Sequence, residues 1–532
     1  MSVDPRNALQ HGQTVILLLL TAGLLFSVPA AWNFTPDSGF YIGTANNLVE
    51  EHRYWFNGQP NLQYYPGLVL PLSALIAVYG LDFSVLQLLS ALFFLLTIWL
   101  VRAYFPFDRY GHVGLVAPIL VVSCGLMIQH YFLVLSDVPF VGLSLVGLLA
   151  WRSWRDTGGR GAFALMILVA MYLPLLRFQG LLFVAALGLA YFFTVLTSEK
   201  GSRLKRLLAA GPWAALVLFP FVFWTWRNYH FHTPDTFNMA NAFFFGKHGL
   251  SLYAPDSFAA SWIDADWKYP VYRVYFMLEE LLESFVGTPI TDLLGEAGIV
   301  LLCILMLLGV RGWWQRASAF ERSYVLLSTA FLFYSLLKER PSLYVVPRYW
   351  LPILPFMVVM LGFGVTWLVG QLQRLLSMYW GPAISVLLML LVFLNGAKAL
   401  QGHIDEQKDF EHANHGLAGL TRYATEYLPE NAIVATSDWG VLPLALQRES
   451  VMLLNDKDHR YSLARMQKYN VTHVAVLKGI SKAADPANKM INDYPSSFSR
   501  LYSHGEAGKR FSIGLYEVNL PKLANQLGAK VE

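Results

Sequence analysis

Four side chains have the types and settings that suggest chemistry: Asp37, Asp137, Arg177 and Arg348. Asp37 stands in NFTPDSGFYIGTAN, directly behind the apolar run TVILLLLTAGLLFSVPAAW, where the chain first leaves a membrane. A carboxylate placed there is either a solvated loop residue or a base able to take a proton from a hydroxyl or amine. Arg177 in PLLRFQG, and Lys338, Arg340 and Arg348 in LLKERPSLYVVPRYWLP, sit at the ends of apolar runs. Cations in such places suit a bound anion such as a phosphate. Snorkelling to lipid headgroups explains Lys338 and Arg340 equally well, and Arg348 less well. Asp137 in VLSDVPF either pairs with Arg177 or caps the helix after it. Tyr349 either bonds a phosphate or anchors at the interface.

The elements that position these groups cross a membrane. The chain has 532 residues, 55% of them hydrophobic and only 14% charged, with a mean hydropathy of +0.44. That much apolar surface exceeds what a water-soluble core can hide, so the fold class is a polytopic α-helical membrane protein. The net charge of +4 comes from short basic loops that set topology, not from a patch suited to nucleic acid. Cys124 and Cys303 both lie in apolar runs, which excludes a disulfide framework and a cysteine-based metal site.

Runs long enough to cross a bilayer fall near 14–32, 84–104, 113–135, 138–153, 162–178, 180–197, 209–226, 293–310, 323–337, 349–370 and 381–400, about 11 spans on the rule of some 20 residues each. The short run PGLVLPLSALIAVYG, 66–80, carries Pro66 and Pro71. If it lies in the interface instead of crossing, the loops VRAYFPFDRYGH, WRSWRDTGGR, TSEKGSRLKR, RGWWQRASAFER and QLQRLLSMYW all fall on the cytoplasmic side, as their Arg and Lys require. This choice puts the N-terminus in the cytoplasm and the C-terminus outside. It also leaves Arg177, Lys338, Arg340 and Arg348 on the side where the rule expects few cations, which is what makes them candidates for an anion.

Residues 1–401 thus form a membrane module with external loops 33–83 and 227–292, and residues 402–532 form a non-cytoplasmic α/β domain. The first loop holds Asp37 and the Tyr-rich stretch NLQYYPG, with Tyr64. The second, too aromatic for a disordered linker, covers the membrane face with short amphipathic helices such as VYRVYFMLEELLESF. In the tail, QKDFEHANHGLAGLTRYATEYL reads as an amphipathic helix, AIVAT, VMLLN, THVAVLK and FSIGLYEV read as strands, and residues 461–469 read as a helix. The tail has no Gly-rich phosphate loop and no nucleophile elbow. Its expected job is acceptor binding or stability. His230, His232 and His248 lack the spacing that puts two ligands on one helical face, so solvated or hydrogen-bonding roles are expected.

The order DSGFY, YYPGLVLPLSAL, VLSDVPF, LLRFQG and VPRYWLPILP resembles the GT-C superfamily of integral membrane glycosyltransferases. Within it, the likeness is greatest to the branch of protein O-mannosyltransferases and bacterial aminoarabinose transferases acting on lipid A. The resemblance implies a sugar transfer from a polyprenyl-phosphate donor to a lipid, glycan or protein acceptor at the outer face of a bacterial inner membrane. It implies Asp37 as general base, with inversion at the anomeric carbon, and Tyr41, four residues on, as part of the site. A second acidic residue that often follows the base is Ser38 here, and the Lys that often precedes Pro-Pro and touches the donor phosphate is missing from YYPG. Arg348 or Lys247 would carry that load, with Tyr64, Asp137, Arg177, His248, Lys338 and Tyr349 as further binding candidates. No cofactor is expected, and a divalent metal stays an open alternative. A transporter or lipid flippase would place charges along the spans. The spans are nearly free of central charges, and polar groups are expected at one face only. A non-catalytic scaffold presenting the tail domain would not need Asp37, Arg177 and Arg348 at the outer surface.

Overall fold

The computed structural model describes residues 5–29, 31–62, 64–197, 202–231, 278–279, 281–285, 288–338, 347–376, 381–436, 438, 440–453, 459–479, 486–505 and 510–528. Lys247, His248, His232 and Arg340, and most of the second external loop, lie outside the described residues, and only the backbone of Lys338 is described. Of the stretch read as VYRVYFMLEELLESF, the described residues include helical 281–285, with Leu281, Leu282 and Phe285 buried.

Each apolar run expected to cross falls on a helix. They are α1 (Pro5–Phe26), α4 (Phe83–Tyr104), the pair α6 (His112–Ser123) and α7 (Gly125–Tyr131), α8 (Asp137–Thr157), α9 (Arg160–Leu176), α10 (Gly180–Thr197) and α11 (Arg203–His230). After these come α12 (Thr288–Trp314), α13 (Ala319–Lys338), α14 (Leu354–Leu376) and α15 (Gly381–Tyr427). Among the described residues six helices are long and apolar enough to cross a membrane, or seven if α6 and α7, bent by 54° at Cys124, are one span. The protein is a multi-pass integral membrane protein.

Two helices lie between the first spans. α2 (Pro36–Glu50) starts where Pro36 fixes the first turn and Thr35 caps it: the Thr35 hydroxyl accepts from the Ser38 amide at 3.1 Å, and the Ser38 hydroxyl accepts from the Thr35 amide at 2.8 Å. α3 (Pro66–Tyr79) covers the expected interfacial run. Gly67 lets it press on the end of α9, since a Cβ there would come 2.5 Å from the Leu176 backbone, and Tyr172 donates to the Gly67 carbonyl. Between them, β1 (Trp55–Phe56) and β2 (Gln59–Pro60) form a small hairpin. The short α5 (Phe107–Tyr110) links α4 to α6.

α15 runs 47 residues, about 70 Å at 1.5 Å per residue, so residue 402 lies inside an unbroken helix that carries the chain from the apolar bundle into the tail. The tail is a mixed sheet with strands β3 (Val434–Thr436), β4 (Ser450–Met452), β5 (His473–Lys478), β6 (Phe498–His504) and β7 (Ser512–Val518) in the order β4-β3-β5-β7-β6. β4, β3 and β5 are parallel, and β7 is antiparallel to both β5 and β6. α15 covers one face through Phe410, Leu417 and Leu420. On the other face, α17 (Arg460–Lys468), α18 (Pro486–Asp493) and α19 (Leu520–Gln526) bury Leu463, Met466, Met490 and Leu523. The short α16 (Val441–Leu446) follows β3. β6 was not expected from sequence: FSRLYSH is an edge strand of mostly half-exposed residues and lacks the apolar alternation of a buried one.

Polar groups do not gather at one end only. At the other end of α8, Glu321 is 1% exposed and takes hydrogen bonds from Tyr104, from Arg152 at 3.0 Å and from the Ser318 amide. This corrects the expectation of a single polar face. The cluster ties α4, α8 and α13 together, and each of its charges has a partner, as burial requires.

Candidate active site

Asp37 lies in the first turn of α2, at the positive end of the helix, where negative charge is favoured. Its side chain is 15% exposed, and each oxygen is engaged. Oδ1 accepts from the Tyr64 hydroxyl at 2.6 Å, and Oδ2 accepts from Arg348 Nη1 at 2.6 Å. A carboxylate offers about four lone-pair sites, so two contacts leave room for a third donor. Arg348 sits in a 3-10 turn, Pro347–Trp350, just before α14. Among the described residues its Nε is buried without a hydrogen-bond partner, so the fork keeps a donor after pairing with Asp37. Burial and the two nearby carboxylates act on this guanidinium in opposite senses, and the carboxylates hold its pKa well above the usual value.

A second pair stands beside the first. Arg177 ends α9 in extended conformation, held by the tight turn to Gly180, whose amide donates to the Arg177 carbonyl at 2.8 Å. A Cβ on Gly180 would meet the Leu173 backbone at 2.2 Å, so the turn needs glycine. Arg177 Nη1 lies 2.5 Å from Asp137 Oδ1, with the side chains 12% and 3% exposed, and Nε donates to Gln179 at 2.8 Å. Asp137 is itself in the first turn of α8 rather than its cap. Ser136, at the cap position, makes no capping hydrogen bond. Its hydroxyl meets Tyr41 at 3.0 Å and accepts from Arg177 at 3.4 Å.

Tyr41 joins the two pairs. Its ring packs on Tyr64 with centroids 4.6 Å apart, and its hydroxyl reaches Ser136. Burial pushes the Tyr41 hydroxyl up to about 12, with Arg177 pulling down and Asp37 and Asp137 pushing up. Burial and the Asp37 charge likewise hold Tyr64 well above the ordinary tyrosine value. Both phenols are neutral hydrogen-bonding groups at working pH. His130, buried on α7 with Nδ1 2.9 Å from the Leu126 carbonyl, lies within the fields of Asp137, Arg348 and Arg177.

The loop bearing Tyr64 is fixed by α11. Arg227 donates to the carbonyls of Asn61 at 2.9 Å and Tyr54 at 3.2 Å, and stacks on Trp224. Tyr54 donates to the Tyr64 carbonyl at 3.0 Å, and Asn61 to Thr44 at 2.7 Å. The structure thus brings Asp37, Tyr41, Tyr64, Asp137, Arg177 and Arg348 into one cluster. Tyr349 is half-buried beside Arg348. His230 is exposed at the end of α11, away from these contacts. Ser136, Gln179, His130 and Arg227 were not singled out from sequence. Ser136 and Gln179 stand inside VLSDVPF and LLRFQG, and a hydroxyl and an amide flanking paired charges were the available signal. Among the described residues, no three His, Cys, Asp or Glu side chains gather to hold a metal ion.

No protein-family model and no curated protein sequence matches the chain. Solved structures do. ArnT from Cupriavidus metallidurans in the apo state superposes with a TM-score of 0.56 at 13% identity, over 96% of this chain and 99% of that one. The same protein bound to undecaprenyl phosphate gives a TM-score of 0.56 at 13% identity, over 95% of this chain and 98% of that one. The Archaeoglobus fulgidus oligosaccharyltransferase, tethered with an acceptor peptide containing the NVT sequon, gives 0.53 at 13% identity, over 87% of this chain and 69% of that one. The chain has the same overall fold as ArnT and this oligosaccharyltransferase.

Proposed function

We propose that this protein is a glycosyltransferase that moves a sugar from a polyprenyl-phosphate donor to a lipid, glycan or protein acceptor at the outer face of the inner membrane. The N-terminus is then cytoplasmic and the tail domain external, the arrangement favoured by the basic loops. The observation that carries the reading is the pairing of Asp37 with Arg348: a base and an anion-binding fork in one place, with Tyr64 orienting the base. The undecaprenyl phosphate in one ArnT structure supports the donor class, and the acceptor peptide tethered to the oligosaccharyltransferase supports keeping a peptide among the acceptors.

In this reading the acceptor hydroxyl or amine attacks the anomeric carbon while Asp37 takes its proton. The bond from that carbon to the phosphate oxygen breaks on the opposite side, and its electron pair leaves with the polyprenyl phosphate. Single displacement inverts the centre. Arg348 and Arg177 stabilise the charge growing on the departing phosphate, and Asp137 and Gln179 hold Arg177 in place. Tyr41 and Tyr64 supply neutral donors and ring faces for the sugar.

Mass spectrometry of lipids and envelope glycans from cells with and without the gene tests this. The expected result is one lipid or glycan species lighter by a sugar, with the sugar-loaded polyprenyl phosphate accumulating. Unchanged masses with a species redistributed between leaflets would replace the transferase with a transporter.

A further inference from the structure

We propose that the tail domain sets the position of Asp37 through a backbone contact between Gly39 and Gly440, which makes Gly440 a positioning residue for the transfer. This rests on the reading of Asp37 as the base. Two residues beyond Asp37, Gly39 faces the turn that enters α16. A Cβ on Gly39 would come 2.4 Å from the Gly440 carbonyl carbon, and a Cβ on Gly440 would come 1.9 Å from the Pro36 carbonyl oxygen. The two backbones therefore touch with no side chain between them. Any side chain on either glycine must move the first turn of α2 and the tail turn apart, which changes where the tail holds Asp37.

The tail side of this contact is held by a set of hydrogen bonds. Asp438 Oδ1 accepts from the amides of Gly440 at 3.1 Å, Val441 and Leu442 at 3.0 Å, which closes the turn. Thr436 on β3 donates to the Asp438 carbonyl at 2.8 Å, and Thr421 on α15 donates to the Ala445 carbonyl at 2.7 Å. The turn is thereby referenced to both the sheet and the long helix.

The tail also holds the chain on both flanks of α2. Upstream, Asn414 donates to the Trp32 carbonyl at 2.9 Å, and Phe34 packs on Phe410 and Phe511. Downstream, Asn57 and Ser450 exchange two hydrogen bonds of 2.6 Å each, Asn57 standing at φ 55° in the hairpin. Residues beyond 409 thus contact the chain before, at and after the Asp37 turn. A base must sit within hydrogen-bond reach of the proton it takes, and a misplacement of about 1 Å costs about 10²-fold in rate. The tail is thus a jig for the base in addition to any acceptor role.

Full-length Gly440→Ala and Asn57→Ala proteins test this. Transfer is followed as formation of the product identified by mass, with undecaprenyl phosphate as the binding probe. Gly440→Ala is expected to lower kcat by about 10²-fold and Asn57→Ala by about three- to tenfold, with undecaprenyl phosphate affinity within about threefold of wild type. Val474→Ala, in the tail core away from α2, lowers the melting temperature and is expected to keep kcat. The inference fails if both variants keep kcat within twofold while Asp37→Asn loses transfer. It also fails if Val474→Ala loses kcat in proportion to its melting temperature, as the others do. Should Asp37→Asn itself transfer normally, the reading of the base falls instead.

Discussion

Arg348 Nη1 lies 2.6 Å from Asp37 Oδ2 across 311 residues of sequence. The pair joins the turn before α14 to the first turn of α2, so a cation and a carboxylate that the chain keeps far apart share one small volume. Among the described residues, the Nε of the same guanidinium is buried without a hydrogen-bond partner.

Removing that fork separates binding from chemistry. Hydrogen bonds to charged groups contribute about 1.5–3 kcal/mol, so Arg348→Ala should weaken undecaprenyl phosphate binding by about 10- to 100-fold. Arg348→Lys should restore part of the affinity but less of kcat, because an ammonium lacks the planar geometry. Equilibrium binding of undecaprenyl phosphate to both variants checks this, and unchanged affinity in Arg348→Ala would remove the phosphate contact.

The Tyr64 hydroxyl donates to Asp37. Tyr64→Phe keeps the ring packing on Tyr41 and loses the 2.6 Å contact to Asp37. The expected outcome is a kcat lower by about tenfold at nearly unchanged KM. A rise in KM alone would make Tyr64 a sugar contact and not an orienter of the base.

The Arg177–Asp137 pair is buried, so breaking it from one side strands a charge. Asp137→Ala or Arg177→Ala should each destabilise by about 3–5 kcal/mol, and the double substitution by less than either. Thermal melting of the three proteins in detergent measures this. Additive losses would show that the two side chains do not act as a pair.

Acid should loosen the tail. Burial holds His473 below the ordinary 6.5, with Glu517 opposing. The unfolded chain then binds more protons below pH 6.5, so the stability contribution is full above that value and falls as pH drops through it. Melting of the tail between pH 8 and pH 5 should show this decline, and His473→Gln should flatten it. An identical slope in the variant would assign the decline to other groups.

The parts legible in sequence were those written in local pattern or in charge against topology. Apolar runs located the helices, and cations at the ends of apolar runs drew attention to Arg177 and Arg348. The acidic residue after the first span pointed to Asp37. What stayed hidden depends on register between distant elements. Nothing near Ser136 indicates that it will face Tyr41 instead of capping α8, and nothing near Gly440 indicates that it will rest on Pro36. Glu321 stands in an unremarkable basic loop, and only packing of α4, α8 and α13 buries it with Arg152 and Tyr104. The β6 strand escaped notice because an edge strand has little apolar signal to give.

The measurement that bears most directly on the account is the transfer rate of purified, folded Asp37→Asn with saturating donor. The replacement keeps size and hydrogen bonding to Tyr64 but cannot accept the acceptor's proton. The account predicts a kcat lower by about 10²- to 10⁴-fold, with undecaprenyl phosphate still bound. A rate within twofold of wild type would contradict it.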